Sequence, residues 1–78
     1  MKLKVNRNAE IHMGNVAQGF IYGDERGKFP DGTFVRTSTV IAVSEDGNEI
    51  KTRNSTYEIE RISIEEWQAN FIADLEKQ

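Results

Sequence analysis

Two short polar stretches carry the residue types best suited to chemistry: Arg36-Thr37-Ser38-Thr39 and Arg53-Asn54-Ser55-Thr56. Each sets an arginine beside neutral hydroxyl or amide groups. A guanidinium is a planar fork that fits phosphate or carboxylate, and Ser, Thr and Asn add hydrogen bonds that bring no further charge. Tyr57 follows the second stretch and Phe34 precedes the first. An aromatic ring beside an anion clamp is the chemistry of a nucleotide pocket, stacking plus phosphate binding. The candidate ligand-binding residues are therefore Arg36, Thr37, Ser38, Arg53, Asn54, Ser55 and Tyr57. The competing reading is structural, since threonine is an ordinary strand residue and Asn-Ser an ordinary turn.

Catalytic patterns are not evident. His12 sits between Ile11 and Met13 with no serine or cysteine nucleophile motif nearby. Asp24 and Glu25 are adjacent carboxylates, but nothing sets the separation an acid–base pair needs. With one histidine, no cysteine and no calcium-loop pattern, no metal-ligand spacing occurs. Gly27-Lys28 lacks the upstream glycine and the following Ser or Thr of a phosphate loop. The expectation is a non-enzymatic protein with no cofactor and no metal.

The 78 residues carry a formal net charge of -3 and a pI near 5.1. Nucleic-acid binders usually show a basic excess, so a general duplex-DNA or RNA binder is disfavoured. A small anion is not, because one or two arginines suffice for it. No apolar run approaches the roughly 20 residues that span a bilayer. The start, Met1-Lys2-Leu3-Lys4-Val5 followed by Asn6-Arg7-Asn8, lacks a signal-peptide core, so a cytoplasmic location is expected. A chain this short buries only about 60–65% of its unfolded surface. Without a disulfide, oligomerisation is a common route to stability, and a homo-oligomer is a natural expectation.

The elements that must position the candidate residues follow from periodicity. Leu3 and Val5 alternate with lysines, and Ala9, Ile11 and Met13 with polar residues, giving two short strands. Gly14-Asn15 suits a tight turn into a third strand over residues 16–22, where Gly19 marks a bulge or a close backbone approach. Residues 23–32 read as an extended charged loop, either a plain connection or a functional one. A long strand over residues 33–43 turns at Asp46-Gly47, runs back over 49–53, turns at Asn54-Ser55 and returns over 56–62. With Asn54 and Ser55 as the loop, Arg53 faces Thr56, Lys51 faces Glu58 and Ile50 faces Ile59. A rival register sets Ser38 opposite Ser55 but mixes polar and apolar residues on both faces, so the three-strand meander is preferred. Ser63-Ile64-Glu65-Glu66 is a capping box, with Ser63 as N-cap and Glu66 reaching back. Ile64, Trp67, Phe71 and Leu75, widened by Ile72, then form an apolar helical stripe that reads as core packing over an open barrel end or as an oligomer interface. Lys77 suits the C-terminal end of the helix dipole.

These elements imply one domain, with strands over 1–62 and a helix over 63–77. The fold class is mainly β: a small antiparallel β-barrel or curved sheet of five or six strands, an SH3-like roll, with one C-terminal α-helix. A sheet with the helix packed on one face is the alternative. The strand edges at residues 3–5 and 16–22 are candidates for pairing between subunits.

The residues Phe29, Asp31, Gly32, Arg36, Thr37, Ser38, Thr52, Arg53, Asn54, Ser55 and Tyr57 form a pattern that resembles a family of short proteins encoded by phages and prophages. The resemblance covers residues 19–60, about the middle half of the chain. It implies a setting rather than a mechanism: the host cell cytoplasm, where small acidic phage proteins counter host defence. Such a protein would sequester a small anionic ligand such as a nucleotide, or act as a protein–protein inhibitor of a host complex through the acidic loop and an outer strand edge. A single-stranded nucleic-acid-binding barrel is a third reading, weakened by the acidic pI.

Overall fold

The computed structural model describes residues 1–76; the expectation for Lys77 lies outside the described residues. Six strands are followed by one helix: β1 (Lys2–Asn6), β2 (Gln18–Tyr22), β3 (Thr33–Arg36), β4 (Val40–Val43), β5 (Glu49–Thr52), β6 (Thr56–Ile62) and α1 (Ile64–Glu76). They form one sheet in the order β3-β2-β1-β6-β5-β4. The fold is mainly β, as expected, and the sheet is mixed rather than wholly antiparallel. β1 runs parallel to β6, with Leu3 beside Ile59 and Asn6 beside Ile62, while the other neighbours are antiparallel.

The sheet curls without closing. Its two edge strands, β3 and β4, are joined by residues 37–39 alone, yet they are not hydrogen-bonded to each other. Val35 of β3 and Val40 of β4 therefore enter the same cluster as Leu3, Val5, Ile21, Ile50, Tyr57 and Ile59. Strand alternation places these side chains on one face, the inner one. Gly19 is what lets β2 lie so close to β1: a Cβ there would run into the Lys4 carbonyl oxygen and the Leu3 Cγ. The close approach expected from the sequence is thus observed.

The outer face carries a second, aromatic cluster. Phe20 faces Phe34 across β2 and β3. Both meet α1 through Trp67 and Phe71, with ring centroids 4.7–5.9 Å apart. Edge-to-face pairs of this kind add about 0.5–1.5 kcal/mol each beyond their buried area. The helix therefore lies on one face of the sheet, over β1 to β3, rather than across a barrel end. Ser63 caps it as expected, its Oγ accepting from the Glu66 N–H at 3.2 Å. The reciprocal arm of the capping box is not made, because the Glu66 carboxylate instead pairs with Lys4 at 3.6 Å. Ile64, Ile72 and Leu75 of the expected stripe remain exposed.

Three expectations are corrected. Residues 9–13 form no strand, because both edges of β1 are already taken by β2 and β6. The segment wraps the inner core instead, burying part of Ala9 and Ile11, and the Ala9 carbonyl accepts from Arg61 at 2.7 Å. The expected long strand over 33–43 breaks at residues 37–39. There the Thr37 hydroxyl donates to the Ser38 carbonyl and accepts from the Ala17 N–H, which turns the chain from β2 toward β5. The hairpin between β5 and β6 turns one residue early, at Arg53 and Asn54, with the Thr52 N–H bonded to the Ser55 carbonyl at 2.8 Å. Ile50 thus faces Tyr57, Lys51 faces Thr56 and Glu49 faces Glu58. A two-residue slip keeps every side chain on its face, so the alternation in the sequence could not distinguish the registers.

Candidate functional site

The seam between β3 and the β5–β6 hairpin holds a cavity of about 180 Å³. Besides Ile21 of β2, its walls come from three places. β3 and the link after it supply Val35, Arg36, Thr37 and Ser38, the hairpin supplies Asn54 and Tyr57, and loop 23–32 supplies Arg26, Lys28 and Phe29. Among the described residues, three cations (Arg26, Lys28 and Arg36) line it and no Asp or Glu does.

The two polar tetrads meet here. The Asn54 N–H donates to Ser38 Oγ at 3.3 Å and the Arg53 N–H to the Thr39 carbonyl at 3.2 Å. Ser38 thus lies beside Asn54, within one residue of the rival register, because β4 continues along β5 past its start. The individual roles differ from the expectation. Thr37 is buried and its hydroxyl is fully occupied by backbone, so it holds the seam open rather than offering a donor. Tyr57 is buried in the inner core and forms one wall. Arg53 and Ser55 do not line the cavity; Ser55 Oγ accepts from the Arg26 guanidinium at 2.8 Å. Arg36 is aligned with Gln18 across the strands, and with the Gln18 oxygen turned toward it, its Nε and Nη2 donate at 3.3 and 3.2 Å. That partner is neutral, so the charge at the rim is uncompensated. Phe34 is not at the site at all, since it belongs to the outer aromatic cluster.

Sequence reasoning missed Arg26, Lys28 and Phe29. Their placement depends on Asp24. Its carboxylate is enclosed by its own loop, with 1% of the side chain exposed. Oδ2 accepts from the N–H groups of Lys28 and Phe29 at 3.1 and 3.0 Å, and Oδ1 from the N–H of Arg26 at 3.1 Å. Lost solvation raises the Asp24 pKa, but the backbone donors and the Arg26 charge outweigh it, so the carboxyl sits below its ordinary value. Asp24 is therefore a loop organiser rather than half of an acid–base pair. Gly23 and Gly27, both at positive φ, provide the turns that aim three amides at one carboxylate. Lys28 lies with Nζ 5.4 Å from the centre of the Phe29 ring, and neither it nor Arg36 has an ion-pair partner among the described residues. The usable signal was the density of charge and glycine in one loop, which shows that a loop is organised but not toward what.

A second concavity lies over the strands the helix leaves bare. It is an open groove of about 740 Å³ lined by Asp46, Glu49, Glu58 and Glu60, with Lys2 and Arg61. The Asn48 N–H, and after it the Ser44 hydroxyl, lower the Asp46 pKa by bonding its carboxylate in the β4–β5 turn. His12 is exposed, 3.4 Å from Glu10, and lines neither concavity. No group of three or more metal-ligating side chains occurs among the described residues, and no described helix is long and apolar enough to cross a membrane.

No protein-family model, curated protein or solved structure matches the chain.

Proposed function

We propose that the protein is a non-enzymatic binding module that holds a small anionic ligand, a nucleotide or another phosphate-bearing molecule, in the seam pocket. The observation that carries this reading is the segregation of charge: Arg26, Lys28 and Arg36 converge on one small cavity free of acidic lining, in a chain whose net charge is -3. A volume of about 180 Å³ is below the 300–1,000 Å³ typical of sites that engulf a drug-sized ligand. It suits an anionic head, with the rest of the molecule lying outside along Phe29. Ser38 and Asn54 supply neutral polar groups where the link after β3 meets the hairpin. In the phage setting that the resemblance implies, holding such a ligand would remove a host defence signal from circulation. Native mass spectrometry with inorganic phosphate and with mono-, di- and cyclic nucleotides tests the reading. It expects a one-per-chain adduct that saturates; a bare protein across the whole panel would sink it.

A protein-inhibitor reading gains from one observation, the open acidic groove over β5 and β6. The acidic loop no longer favours it, because the Asp24 carboxylate is consumed inside the loop. A pull-down with Glu58→Lys/Glu60→Lys as the control separates this reading from the first: it expects a basic partner that the control loses, and no partner in either sample would set it aside.

A further inference from the structure

The strand edges first considered for pairing between subunits are both interior: β1 lies between β2 and β6, and β2 between β3 and β1. The free edges are β3 and β4. We propose that the outer edge of β4, together with Met13 and Val16 beside it, is the surface on which a second copy of this chain docks. This inference stands on observations separate from the seam pocket.

The backbone leaves β4 unfinished. At its start, Val40 is covered, its N–H bonded to the Asn15 carbonyl at 2.8 Å and its carbonyl accepting from the Gly14 N–H at 2.9 Å. Past that point no backbone bond reaches Ile41, Ala42 or Val43 from outside the β4–β5 ladder among the described residues. Exposed edges are usually blunted with charge, proline, a bulge or a covering loop. Here segment 14–15 covers the start and an irregularity between Val40 and Ala42 bends the strand, but residues 41–44 carry neither charge nor proline. The side chains match. Ile41 is 47% exposed and Val43 37%, while Met13 at 66% and Val16 at 45% flank the covering segment. Among the described residues these are four of the seven large apolar side chains left exposed.

Charge selects a second copy as the occupant. A two-fold contact sets the same patch on both sides, so a patch whose charges are all of one sign finds no opposite charge across the contact. Residues 37–44 contain no charged residue, and β4 can face itself without repulsion. The other free edge ends in Arg36, and the remaining exposed apolar residues, Ile64, Ile72 and Leu75, are interspersed along α1 with Glu65, Glu66, Asp74 and Glu76. Two copies of either stretch would bring charges of one sign into the contact with no opposite charge among its described residues to pair them. Oligomerisation is also one of the routes by which a small domain without disulfides gains stability.

Sedimentation velocity over a wide concentration range, on the wild type, Ile41→Lys and Ile72→Lys, tests this. All three sites are on the surface, and thermal unfolding followed by circular dichroism checks that each variant is folded. The expected result is a concentration-dependent wild-type dimer, a dissociation constant raised at least tenfold in Ile41→Lys, and an unchanged dimer in Ile72→Lys. A wild type that stays monomeric into the millimolar range overturns the proposal. So does a dimer that survives Ile41→Lys, or one that Ile72→Lys alone dissociates, which would move the contact to α1.

Discussion

The seam pocket and the groove over β5 and β6 are both lined by charged residues, and they differ in sign, size and origin. The groove is about four times larger, with four carboxylates against two cations; the pocket has three cations and no carboxylate. Glu49, Glu58 and Glu60 occupy solvent-facing positions of regular strands, where alternation puts polar residues by default. Glu49 even faces Glu58 directly, an arrangement that costs stability rather than adding to it. The pocket cations reach their places differently. Arg26 and Lys28 come from a loop wound around one buried carboxylate, and Arg36 from a strand edge. Convergence that needs a dedicated loop says more about binding than volume does.

The largest expected effect is on the pocket alone. Arg26→Ala/Lys28→Ala removes two charged donors, each of which contributes about 1.5–3 kcal/mol to an ionic hydrogen bond. Affinity for phosphate-bearing ligands should fall about 100-fold or more by isothermal titration calorimetry, with the unfolding midpoint nearly unchanged since both residues are exposed. Retained affinity would break the contrast between the two regions. Next is Thr52→Val. Thr52 is buried, its Oγ1 accepting from the Asn54 and Ser55 N–H groups and donating to the Ser55 carbonyl. Leaving these groups unsatisfied should cost about 1–3 kcal/mol of stability in urea unfolding, and should loosen the pocket wall that Asn54 forms.

Asp24 gives a pH test. Its pKa is lowered in the fold, so its contribution is fully present above the ordinary carboxylate value near 4 and is lost as pH falls through the lower folded value. Amide resonances of Arg26, Lys28 and Phe29 should hold steady from about pH 5 to 8 and move together below about pH 4; Asp24→Ala should show the low-pH pattern at every pH. The smallest effect belongs to the groove. Glu58→Gln/Glu60→Gln should change anion affinity by less than about twofold, the scale of weakly coupled surface charges. A larger change would mean that the two regions act as one site.

Local signals in the sequence were enough for most of the elements. The Asp46-Gly47 turn, the Ser63 cap, the alternation of β5 and β6 and the close approach at Gly19 all appear where the residues place them. What failed was non-local. The parallel pairing of β1 with β6 joins the two ends of the sheet region and takes the β1 edge that a hairpin with residues 9–13 would need, which no window of sequence shows. The candidate site was half legible. The tetrads do meet, but through Ser38 and Asn54, while the hydroxyl of Thr37 is spent on backbone. Lys28 and Arg26 were hidden because their position depends on three amides closing on Asp24, a loop geometry rather than a residue pattern.

A titration of the isotope-labelled protein with inorganic phosphate and then a nucleoside monophosphate, followed by amide chemical shifts, is the most direct test. The seam-pocket account predicts saturable shifts at Arg26, Lys28, Phe29, Ser38 and Asn54, stronger for the nucleotide at Phe29, with the groove residues Glu58 and Glu60 unmoved. Shifts centred on the groove, or none that saturate, would contradict it.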